Sequence, residues 1–391
     1  MNKIVRDLKL IVNRINNKIT YKDNGYFVFG EWMGKRADDN CLYLANYIYA
    51  HYPEIPIAWV SSKTADLSLL DEHIERYDFS SNEGKLLVRN ARVLIMNQGL
   101  VDFSESESFN VSMPLKINLW HGVAWKKIGY NGIPYSRGFR DVEHRFQICI
   151  RNADIFLAPS ISYQVNFSKA FFIKESNFIK AGFPRNCMFY DKEHITKCKK
   201  KILELLNDDA KIIVYLPTFR DSHTKPFSFM DIKDKLFFTW LEENNIYIIQ
   251  KAHAAESTSF SSSNSHIINM LNISAQELMA ASDMLITDYS SCFFDYLLLD
   301  RPIIHYLYDY DYYKNKDRGL YYEKEDVICG SAPETEEELI REIKENLEDP
   351  HRYHTLRMKR KEKFLTYESS NSCEIITQRI FRELREKGVS I

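Results

Sequence analysis

The chain has 391 residues, of which 45% are hydrophobic and 27% are charged, and its formal net charge is −2. This length predicts two domains with substantial cores, and the near-neutral charge argues against general nucleic-acid binding. The seven cysteines lack CxxC or Cys/His zinc spacing, which indicates reduced thiols in a cytosolic protein. The sequence contains no apolar run near the ~20 residues of a membrane-spanning helix, and neither a GxGxxG nor a Walker motif.

Residues 1–24 contain a predicted basic amphipathic helix. Its apolar side chains recur at helical spacing from Ile4 to Ile19, and the many basic residues of 1–22 are set against a single acid, Asp7. Such a helix suits the surface of an anionic membrane, which is therefore one expected partner. The other interpretation is a helix whose apolar face packs on the body of the protein.

From residue 25 onward, apolar strand-like runs alternate with helical segments in two successive series. The predicted strands of the first series, within 25–190, are Tyr26–Phe29, Ile55–Val60, Val93–Met96, Ile117–Trp120, Ile155–Ala158 and Phe178–Ala181. Those of the second series, within 191–370, are Ile212–Leu216, Ile246–Gln250, Met284–Ile286 and Pro302–Tyr306. The tail, residues 334–387, contains three charged segments that predict helices, the last of them within 371–391. The alternation predicts an α/β protein with two mostly parallel sheets facing across a cleft.

Polar side chains directly follow four of the predicted strands. They lie in Trp120-His121-Gly122, Pro217-Thr218-Phe219-Arg220-Asp221, Lys251-Ala252-His253 and Thr287-Asp288-Tyr289-Ser290-Ser291. Parallel strands open their carboxyl ends on one edge, so two facing sheets would bring His121 opposite His253, Arg220 and Ser290. Histidine can accept a proton near pH 7, and the arginine fork binds phosphate oxygens. The set fits phosphoryl transfer, although each residue taken singly is also compatible with a structural role.

The stretch 284–306 predicts a βαβ unit with a turn rich in hydroxyl groups. Ser290 or Ser291 can cap the helix predicted from Cys292 to Leu299, and the N–H groups at that helix start suit a phosphate. The alternative is that these serines do nothing more than cap the helix.

No resident metal or cofactor is predicted. Asp309-Tyr310-Asp311 matches the DxD pattern with which some glycosyltransferases hold a divalent metal, but three residues in a Tyr/Asp-rich stretch favour a loop or a helix start. The other carboxylates lack metal-ligand spacing, and no Gly-x-Ser-like element forms the nucleophile elbow of a serine hydrolase.

Five ordered motifs lie between residues 119 and 319. They are LWHGVAWKKIGY at 119–130, AGFPRN at 181–186, YLPTFRD at 215–221, KAH at 251–253, and SDMLITDYSSCFFDYLLLDRPIIHYLYDYDYY at 282–313 followed by Arg318-Gly319. Together they resemble the CDP-glycerol glycerophosphotransferase family of bacterial teichoic-acid and capsule synthesis, whose patterns are similar to WHGTPLKKIG, GxPRxD, APTWRD, KxHP and TDYSSxxFDxxxLxRP. This chain departs from them at Val123-Ala124-Trp125, at Cys187, where the family has Asp, and at Ala254, where it has Pro.

The resemblance implies a GT-B-like fold with an N-terminal Rossmann-like acceptor domain at 25–190 and a C-terminal Rossmann-like CDP-donor domain at 191–370. It also implies that the C-terminal helix, 371–391, crosses back to the N-terminal domain. It implies a peripheral enzyme on the cytoplasmic face of the bacterial cell membrane. The implied reaction transfers glycerol phosphate from CDP-glycerol to a hydroxyl of a lipid-linked or growing glycan acceptor and releases CMP, with CDP-glycerol as a substrate and no separate cofactor.

The resemblance also implies roles for individual residues. His121 matches the motif histidine that acts as general base on the acceptor hydroxyl, and His253 matches the one that stabilises the donor phosphates. The implied donor-binding residues are Thr218, Arg220, Lys251, Thr287, Asp288, Ser290, Ser291, Asp295 and Arg318. The implied acceptor-binding residues are Gly122, Lys126, Lys127 and Arg185.

Three other functions stay open at this level. The first keeps the reaction and uses CDP-ribitol or another CDP-polyol, which no residue distinguishes from CDP-glycerol. The second is a GT-B glycosyltransferase that uses a nucleotide sugar, which the pairing of WHG with TDYSS disfavours. The third is a non-catalytic paralogue that binds glycan, which the presence of both His121 and His253 disfavours.

Overall fold

The computed structural model describes residues 18–105, 111–132, 139–146, 150–218, 227–251, 265–270, 272–317 and 319–390. Most of the predicted N-terminal helix, residues 1–17, lies outside this part, and residues 18–20 are helical. The chain forms two compact units. Unit 1 comprises Met1–His121, Phe139–Cys187 and Tyr367–Ile391, and unit 2 comprises Gly122–Gly138 and Met188–Thr366.

The described residues contain twelve β-strands. Those of unit 1 are β1 (Phe27–Gly30), β2 (Ile57–Ser61), β3 (Glu75–Asp78), β4 (Val93–Met96), β5 (Leu115–Asn118), β6 (Ile155–Ala158) and β7 (Phe178–Lys180). Those of unit 2 are β8 (Lys211–Leu216), β9 (Ile246–Gln250), β10 (Ile267–Asn269), β11 (Met284–Thr287) and β12 (Ile303–His305). The helices are α1 (Asn40–His51), α2 (Asn82–Asn90), α3 (Phe139–Arg145), α4 (Ile161–Phe171), α5 (Lys192–Leu203), α6 (Lys235–Glu243), α7 (Ala275–Ala281), α8 (Cys292–Tyr296), α9 (Tyr310–Tyr312), α10 (Lys324–Val327), α11 (Glu336–Glu348), α12 (His354–Phe364) and α13 (Ser372–Glu386). Within the described ranges, no helix combines the length and the apolar character needed to span a membrane.

Each unit is built on one parallel sheet. The order is β3-β2-β1-β4-β5-β6-β7 in unit 1 and β10-β9-β8-β11-β12 in unit 2. Every pair of neighbouring strands is parallel, which confirms the α/β class with parallel sheets. The order reverses between β1 and β4 and between β8 and β11, and ligands of such sheets bind where the order reverses.

The sequence prediction missed two short strands, β3 and β10, and both are sheet edges. The residues of β3 are Glu-Arg-Tyr-Asp; the first two are exposed and the last two are partly buried, because an edge strand has a neighbouring strand on one side only. Such a strand carries neither an apolar run nor a clean alternation, so its strand conformation follows from pairing with β2 and not from a local pattern.

Apolar strands make both cores. The strands Val-Leu-Ile-Met of β4 and Phe-Val-Phe-Gly of β1 are fully buried, as expected for a parallel sheet covered on both faces. The C-terminal helix α13 packs in unit 1, where the Phe381 ring lies 6.4 Å from Phe27 and 5.1 Å from Tyr52. Its first turn is held by Glu374, which accepts hydrogen bonds from two tyrosine hydroxyls of α1 and the residue after it.

The segment after His121 belongs to unit 2, where Trp125 anchors it. The Trp125 side chain is fully buried, its Nε1 donates to the carbonyl of Tyr322 at 2.9 Å, and its ring lies 5.6 Å from that of Tyr289. Lys126 forms an antiparallel bridge with Leu320, and the Lys127 N–H donates to Gly319 at 2.9 Å. The WHG motif and the lysines that follow it are therefore divided between the two units.

Candidate functional site

The turn after β5 carries His121 in a strained backbone. Trp120 has φ +56° and Gly122 has φ +134°, so the chain has positive φ on both sides of His121. The Asn40 side chain donates to the Trp120 carbonyl at 2.9 Å, and the Trp120 N–H donates to Asn118 Oδ1 at 2.9 Å. A positive φ at a bulky aromatic residue costs on the order of 1–3 kcal/mol and is concentrated at functional turns. These contacts therefore maintain a conformation that the chain would not adopt locally.

The imidazole of His121 is half-exposed and is bordered by two indoles and one amide. The Trp120 ring stacks on it with centroids 4.3 Å apart, and the Trp32 ring lies 5.7 Å away. The side-chain amide nitrogen of Gln98 is 3.1 Å from Nδ1 of His121. An amide group can place either its oxygen or its nitrogen in one position, so Gln98 can accept from Nδ1–H and leave Nε2 as the proton acceptor.

Arg185, predicted as an acceptor-binding residue, is buried and binds protein groups around this turn. Its Nη1 donates to Asp39 Oδ1 at 2.8 Å and to the carbonyl of His121 at 3.1 Å. Its backbone N–H donates to Asn40 Oδ1 at 3.3 Å. Arg185 therefore connects the start of α1 to the backbone of His121. The residues Trp32, Gln98, Trp120, His121 and Arg185 are called the imidazole site below.

A buried carboxylate, Asp102, fixes the two loops that carry Trp32 and Gln98. It accepts from the N–H groups of Met33 at 2.7 Å, Asn97 at 3.0 Å and Gln98 at 2.7 Å. Burial raises the pKa of Asp102 to about 7, although these donors lower it. Asp102 therefore sets the positions from which the indole and the amide reach the imidazole.

A second buried carboxylate, Glu31, organises the start of α1. It accepts from the N–H groups of Asp38 at 2.6 Å, Asp39 at 2.8 Å and Cys41 at 3.1 Å. Burial, together with the charge of Asp39, raises the pKa of Glu31 well above its usual value. The sequence prediction missed Glu31 and Gln98. Glu31 directly follows β1 and Gln98 is the second residue after β4, so the reasoning that selected His121 would also have selected them.

The loop after β11, residues 288–291, is called the DYSS loop below. Its first residue, Asp288, is fully buried, and its Oδ1 accepts from the N–H groups of Thr218 at 2.8 Å and Tyr289 at 2.6 Å. Thr287, also buried, donates its hydroxyl to the last carbonyl of β8 at 2.6 Å. Thr287 and Asp288 therefore join the ends of β8 and β11 and fix the backbone of the loop.

Tyr289, the second residue of the DYSS loop, attaches the loop to Tyr313 and Asp309. The Tyr289 ring stacks on Tyr313 with centroids 3.8 Å apart, and its hydroxyl donates to Asp309 Oδ1 at 2.9 Å. Helix α9 begins directly after Asp309. These contacts agree with the helix-start interpretation of Asp309-Tyr310-Asp311 and give Asp309 a structural partner.

Ser290 and Ser291 are half-exposed at the start of α8. The Ser291 side chain makes no capping hydrogen bond, and the Ser290 hydroxyl lies 3.5 Å from the N–H of Cys292. The α-helix ends at Tyr296 and continues as the 3-10 turn Leu297–Leu299. The serine capping predicted from the sequence is thus limited to one long contact.

Two other predicted donor-binding residues contact protein groups. Lys251 Nζ donates to the carbonyl of Ile273 at 2.6 Å, and buried Asp295 accepts from Gln276 Nε2 at 3.2 Å. The residues Arg220, His253 and Arg318 lie outside the described part of the chain, so the roles predicted for them remain predictions.

Among the described residues, Asp300, His351 and His354 form a group of possible metal ligands, with ligand atoms within 4.8 Å of one another. Asp300 already has protein partners, because its Oδ2 is 2.6 Å from His354 Nδ1 and its Oδ1 accepts from Arg357 Nε at 2.8 Å. Arg357 is fully buried, so we interpret the group as the contact that attaches α12 to the turn after α8.

Comparison with known proteins gives consistent relatives. The family model described as CDP-Glycerol:Poly(glycerophosphate) glycerophosphotransferase matches residues 11–382. The teichoic acid glycerol-phosphate primase of Bacillus subtilis (strain 168) is 32% identical over 231 residues, 58% of each chain. The teichoic acid glycerol-phosphate transferase of Staphylococcus aureus (strain NCTC 8325 / PS 47) is 24% identical over 397 residues, 97% of each chain. The match thus spans little more than half of the primase and nearly all of the transferase.

A solved structure shares the fold. A variant of the wall teichoic acid polymerase TagF superposes with a TM-score of 0.80 at 21% identity, and the match covers 98% of both chains. This likeness confirms the GT-B-like fold that the sequence motifs implied.

Proposed function

Because the chain belongs to the CDP-glycerol:poly(glycerophosphate) glycerophosphotransferase family, we propose that it transfers glycerol phosphate from CDP-glycerol to a hydroxyl of a teichoic-acid-type acceptor. The acceptor oxygen bonds to the phosphorus that bears the glycerol, and the bond from that phosphorus to the bridging oxygen breaks. CMP leaves, and the acceptor proton passes to a base. Such a reaction depends on in-line positioning and on stabilising the charge of the transferred group.

His121 is the proposed base, and its setting in the imidazole site is the observation that carries the proposal. The ring is partly exposed, as are the Trp32, Gln98 and Trp120 side chains around it. Asn40 and Arg185, which hold the backbone of the turn, are buried, so substrate can reach the imidazole without disturbing that backbone support. With Gln98 accepting from Nδ1, Nε2 presents a lone pair to the acceptor hydroxyl. Arg185 acts as a positioning residue, because it holds the backbone carbonyl of His121.

The DYSS loop is the proposed contact to the donor diphosphate. Its half-exposed hydroxyls, Ser290 and Ser291, are the groups available for hydrogen bonds to phosphate oxygens. The buried Thr287, Asp288 and Asp295 hold the loop in place. His253, Arg220 and Arg318 are assigned to the donor phosphates by their match to the family motifs, and Lys126 and Lys127 to the acceptor.

The test is CMP release by purified protein supplied with CDP-glycerol and a lipid-linked acceptor. We expect His121→Ala to lower turnover at least ~10²-fold, the lower range for loss of a general base, with a Tm close to that of wild type. His73→Ala is the matched control, because His73 is an exposed histidine of the same unit beside Asp71. Turnover of the His121 variant within a few-fold of wild type would exclude His121 as the base.

The choice of polyol is tested in the same assay. We propose glycerol on the basis of the family, and a panel of CDP-glycerol, CDP-ribitol and UDP-sugars compares kcat/KM for each donor. A higher kcat/KM with CDP-ribitol would change the substrate and keep the reaction. UDP release with no CMP release from either polyol donor would favour a glycosyltransferase.

We also propose that residues 1–22 bring the enzyme to the cytoplasmic face of the membrane, because their sequence combines apolar residues at helical spacing with many basic residues. Deleting these residues should reduce sedimentation with vesicles that contain phosphatidylglycerol and leave turnover on a soluble acceptor analogue unchanged. Vesicles of neutral phosphatidylcholine are the control. Equal sedimentation of the full and shortened chains would contradict the proposal.

A further inference from the structure

Cys187 and Cys373 bring two thiols together from distant parts of the sequence. Their sulfur atoms are 3.7 Å apart, although the residues are 186 positions apart in the chain. Cys187 lies in the 3-10 segment Pro184–Tyr190 and is half-exposed, whereas Cys373 is the second residue of α13 and is buried. At the position of Cys187 the family pattern has Asp, so the transfer reaction does not account for this thiol.

The two segments that carry these thiols are held tightly against each other. Glu368 Oε1 accepts from the N–H of Phe183 at 3.0 Å and from Asn186 Nδ2 at 2.9 Å. A Cβ atom added to Gly182 would lie 2.1 Å from Glu368 Oε2 and 2.6 Å from Ser372 Oγ, so a larger residue here would have to displace these side chains. The backbone around both cysteines is therefore fixed, and the approach of the sulfur atoms follows from the packing of the two segments.

The surroundings distinguish the two thiols chemically. The hydrogen bond from the Cys373 thiol, aided by the N–H groups of Ser372 and Cys373 at the start of α13, lowers the pKa of Cys187. The same contact and burial raise the pKa of Cys373. A thiolate at a helix N-terminus with partial exposure is the form that peroxide oxidises, and a thiol beside it can resolve the product.

We propose that Cys187 and Cys373 are an oxidative modification site that forms a reversible disulfide with hydrogen peroxide. The Cys187 thiolate attacks one peroxide oxygen, the O–O bond breaks, and a sulfenic acid and hydroxide form. The hydroxide takes up the proton that Cys187 released on ionising and becomes the first water. The Cys373 sulfur then attacks the sulfenic sulfur, the S–O bond breaks, and the second water leaves with the remaining thiol proton. One peroxide is reduced and two thiols are oxidised. The chain leaves unit 1 after Cys187 and returns to it at Tyr367. The disulfide would therefore join the end of one segment of unit 1 to helix α13 in the next segment.

The experiment uses the full chain, reduced, freed of reductant and exposed to a few-fold molar excess of hydrogen peroxide. Free thiols are then alkylated, and the protein is digested with trypsin without reduction. The expected product is the disulfide between peptides 186–192 and 364–379, each of which contains one cysteine. Its mass should disappear after dithiothreitol. Cys187→Ser and Cys373→Ser should each abolish the linked peptide, and Cys198→Ser, which changes a buried cysteine of unit 2, should retain it.

Three results would overturn the proposal. One is peroxide treatment that leaves both peptides alkylated under conditions that oxidise free glutathione. Another is oxidation of Cys187 to sulfinic or sulfonic acid with Cys373 still alkylated. The third is that the linked peptide comes only from oxidised protein that migrates as a dimer on a non-reducing gel, because the disulfide would then join two chains.

Discussion

The imidazole site of unit 1 and the DYSS loop of unit 2 both follow a parallel strand, yet they present different groups. In the imidazole site the polar residue at the strand end, His121, is half-exposed, and other residues hold its backbone. In the DYSS loop the corresponding residue, Asp288, is fully buried and holds the backbone itself. The end of a strand thus determines where a group lies, and the surrounding contacts determine whether its side chain is exposed or is buried and holds the backbone.

The two regions also differ in backbone strain. Trp120 has φ +56°, whereas Ser291 has ordinary helical angles of φ −68° and ψ −12°. The strained turn is held by side-chain contacts from Asn40 and Arg185, whereas the unstrained loop is held mainly by hydrogen bonds of its own residue Asp288. Substitutions of Asn40 or Arg185, which hold the strained turn, should therefore affect both stability and turnover. Substitutions of the buried residues that hold the DYSS loop should act mainly on stability.

The largest effect is expected from breaking the buried ion pair of Arg185 and Asp39. Arg185→Met leaves the Asp39 carboxylate buried without its cation, which should lower the free energy of unfolding by about 3–5 kcal/mol. Urea unfolding measures this change. Adding Asp39→Asn should recover part of the loss, because the amide needs no counter-charge. A loss below about 1 kcal/mol in the single variant would show that the pair is not a main support of the turn.

Removing the clamp of the DYSS loop should give the next largest effect. Asp288→Ala leaves the N–H groups of Thr218 and Tyr289 without their acceptor. Each unsatisfied buried group should lower the free energy of unfolding by about 1–3 kcal/mol. Asp288→Asn keeps an acceptor oxygen and should lose less than half as much in urea unfolding. If the alanine variant instead unfolds like wild type and has lost turnover, Asp288 contacts the donor and the comparison drawn above is wrong.

The pH dependence of stability should have opposite signs in the two units. In unit 2, burial lowers the pKa of His305 from 6.5 to about 4, with Nε2 3.1 Å from the sulfur of Cys329. Between these pH values the unfolded chain binds a proton that the folded chain does not, so stability falls as pH drops, by up to about 3 kcal/mol. In unit 1, the raised pKa of Asp102 means that stability falls as pH rises from about 4 to about 7.

Urea unfolding from pH 4.5 to 7.5 separates these two contributions. Compared with wild type, His305→Gln should lose less stability on acidification, and Asp102→Asn should lose less on going to neutral pH. Parallel pH curves for wild type and the His305 variant would show that this histidine is not buried in its neutral form.

The smallest effect is expected at Gln98. Gln98→Glu places a carboxylate beside Nδ1 of His121, which favours the protonated imidazole. The acid limb of the kcat/KM profile should move to higher pH by up to about one unit. Gln98→Leu should lower kcat about tenfold with little change in KM for CDP-glycerol, because the ring loses the partner that orients it. An unchanged pH profile in the glutamate variant would remove Gln98 from the imidazole site.

Sequence reasoning located the strands best where their burial is complete. Strands β4, β6 and β9 lie at the predicted residues, because each is a continuous apolar run that a covered parallel sheet requires. Edge strands β3 and β10 were missed, since a strand paired on one side need not be apolar. Polar residues that follow predicted strands led to His121 and the DYSS loop. Glu31 and Gln98 are also polar residues after strands, β1 and β4, and they were overlooked.

The sequence by itself determined the fully buried strands, the parallel α/β class and the motif residues, because periodicity and burial are local properties of the chain. Only the tertiary structure decided that Arg185 holds the carbonyl of His121, that Trp125 belongs to unit 2, and that Cys187 lies against Cys373. These relations join residues from about 60 to nearly 200 positions apart, and no local pattern encodes them. They arise because buried charges and thiols must find partners wherever the packing of strands and helices brings them.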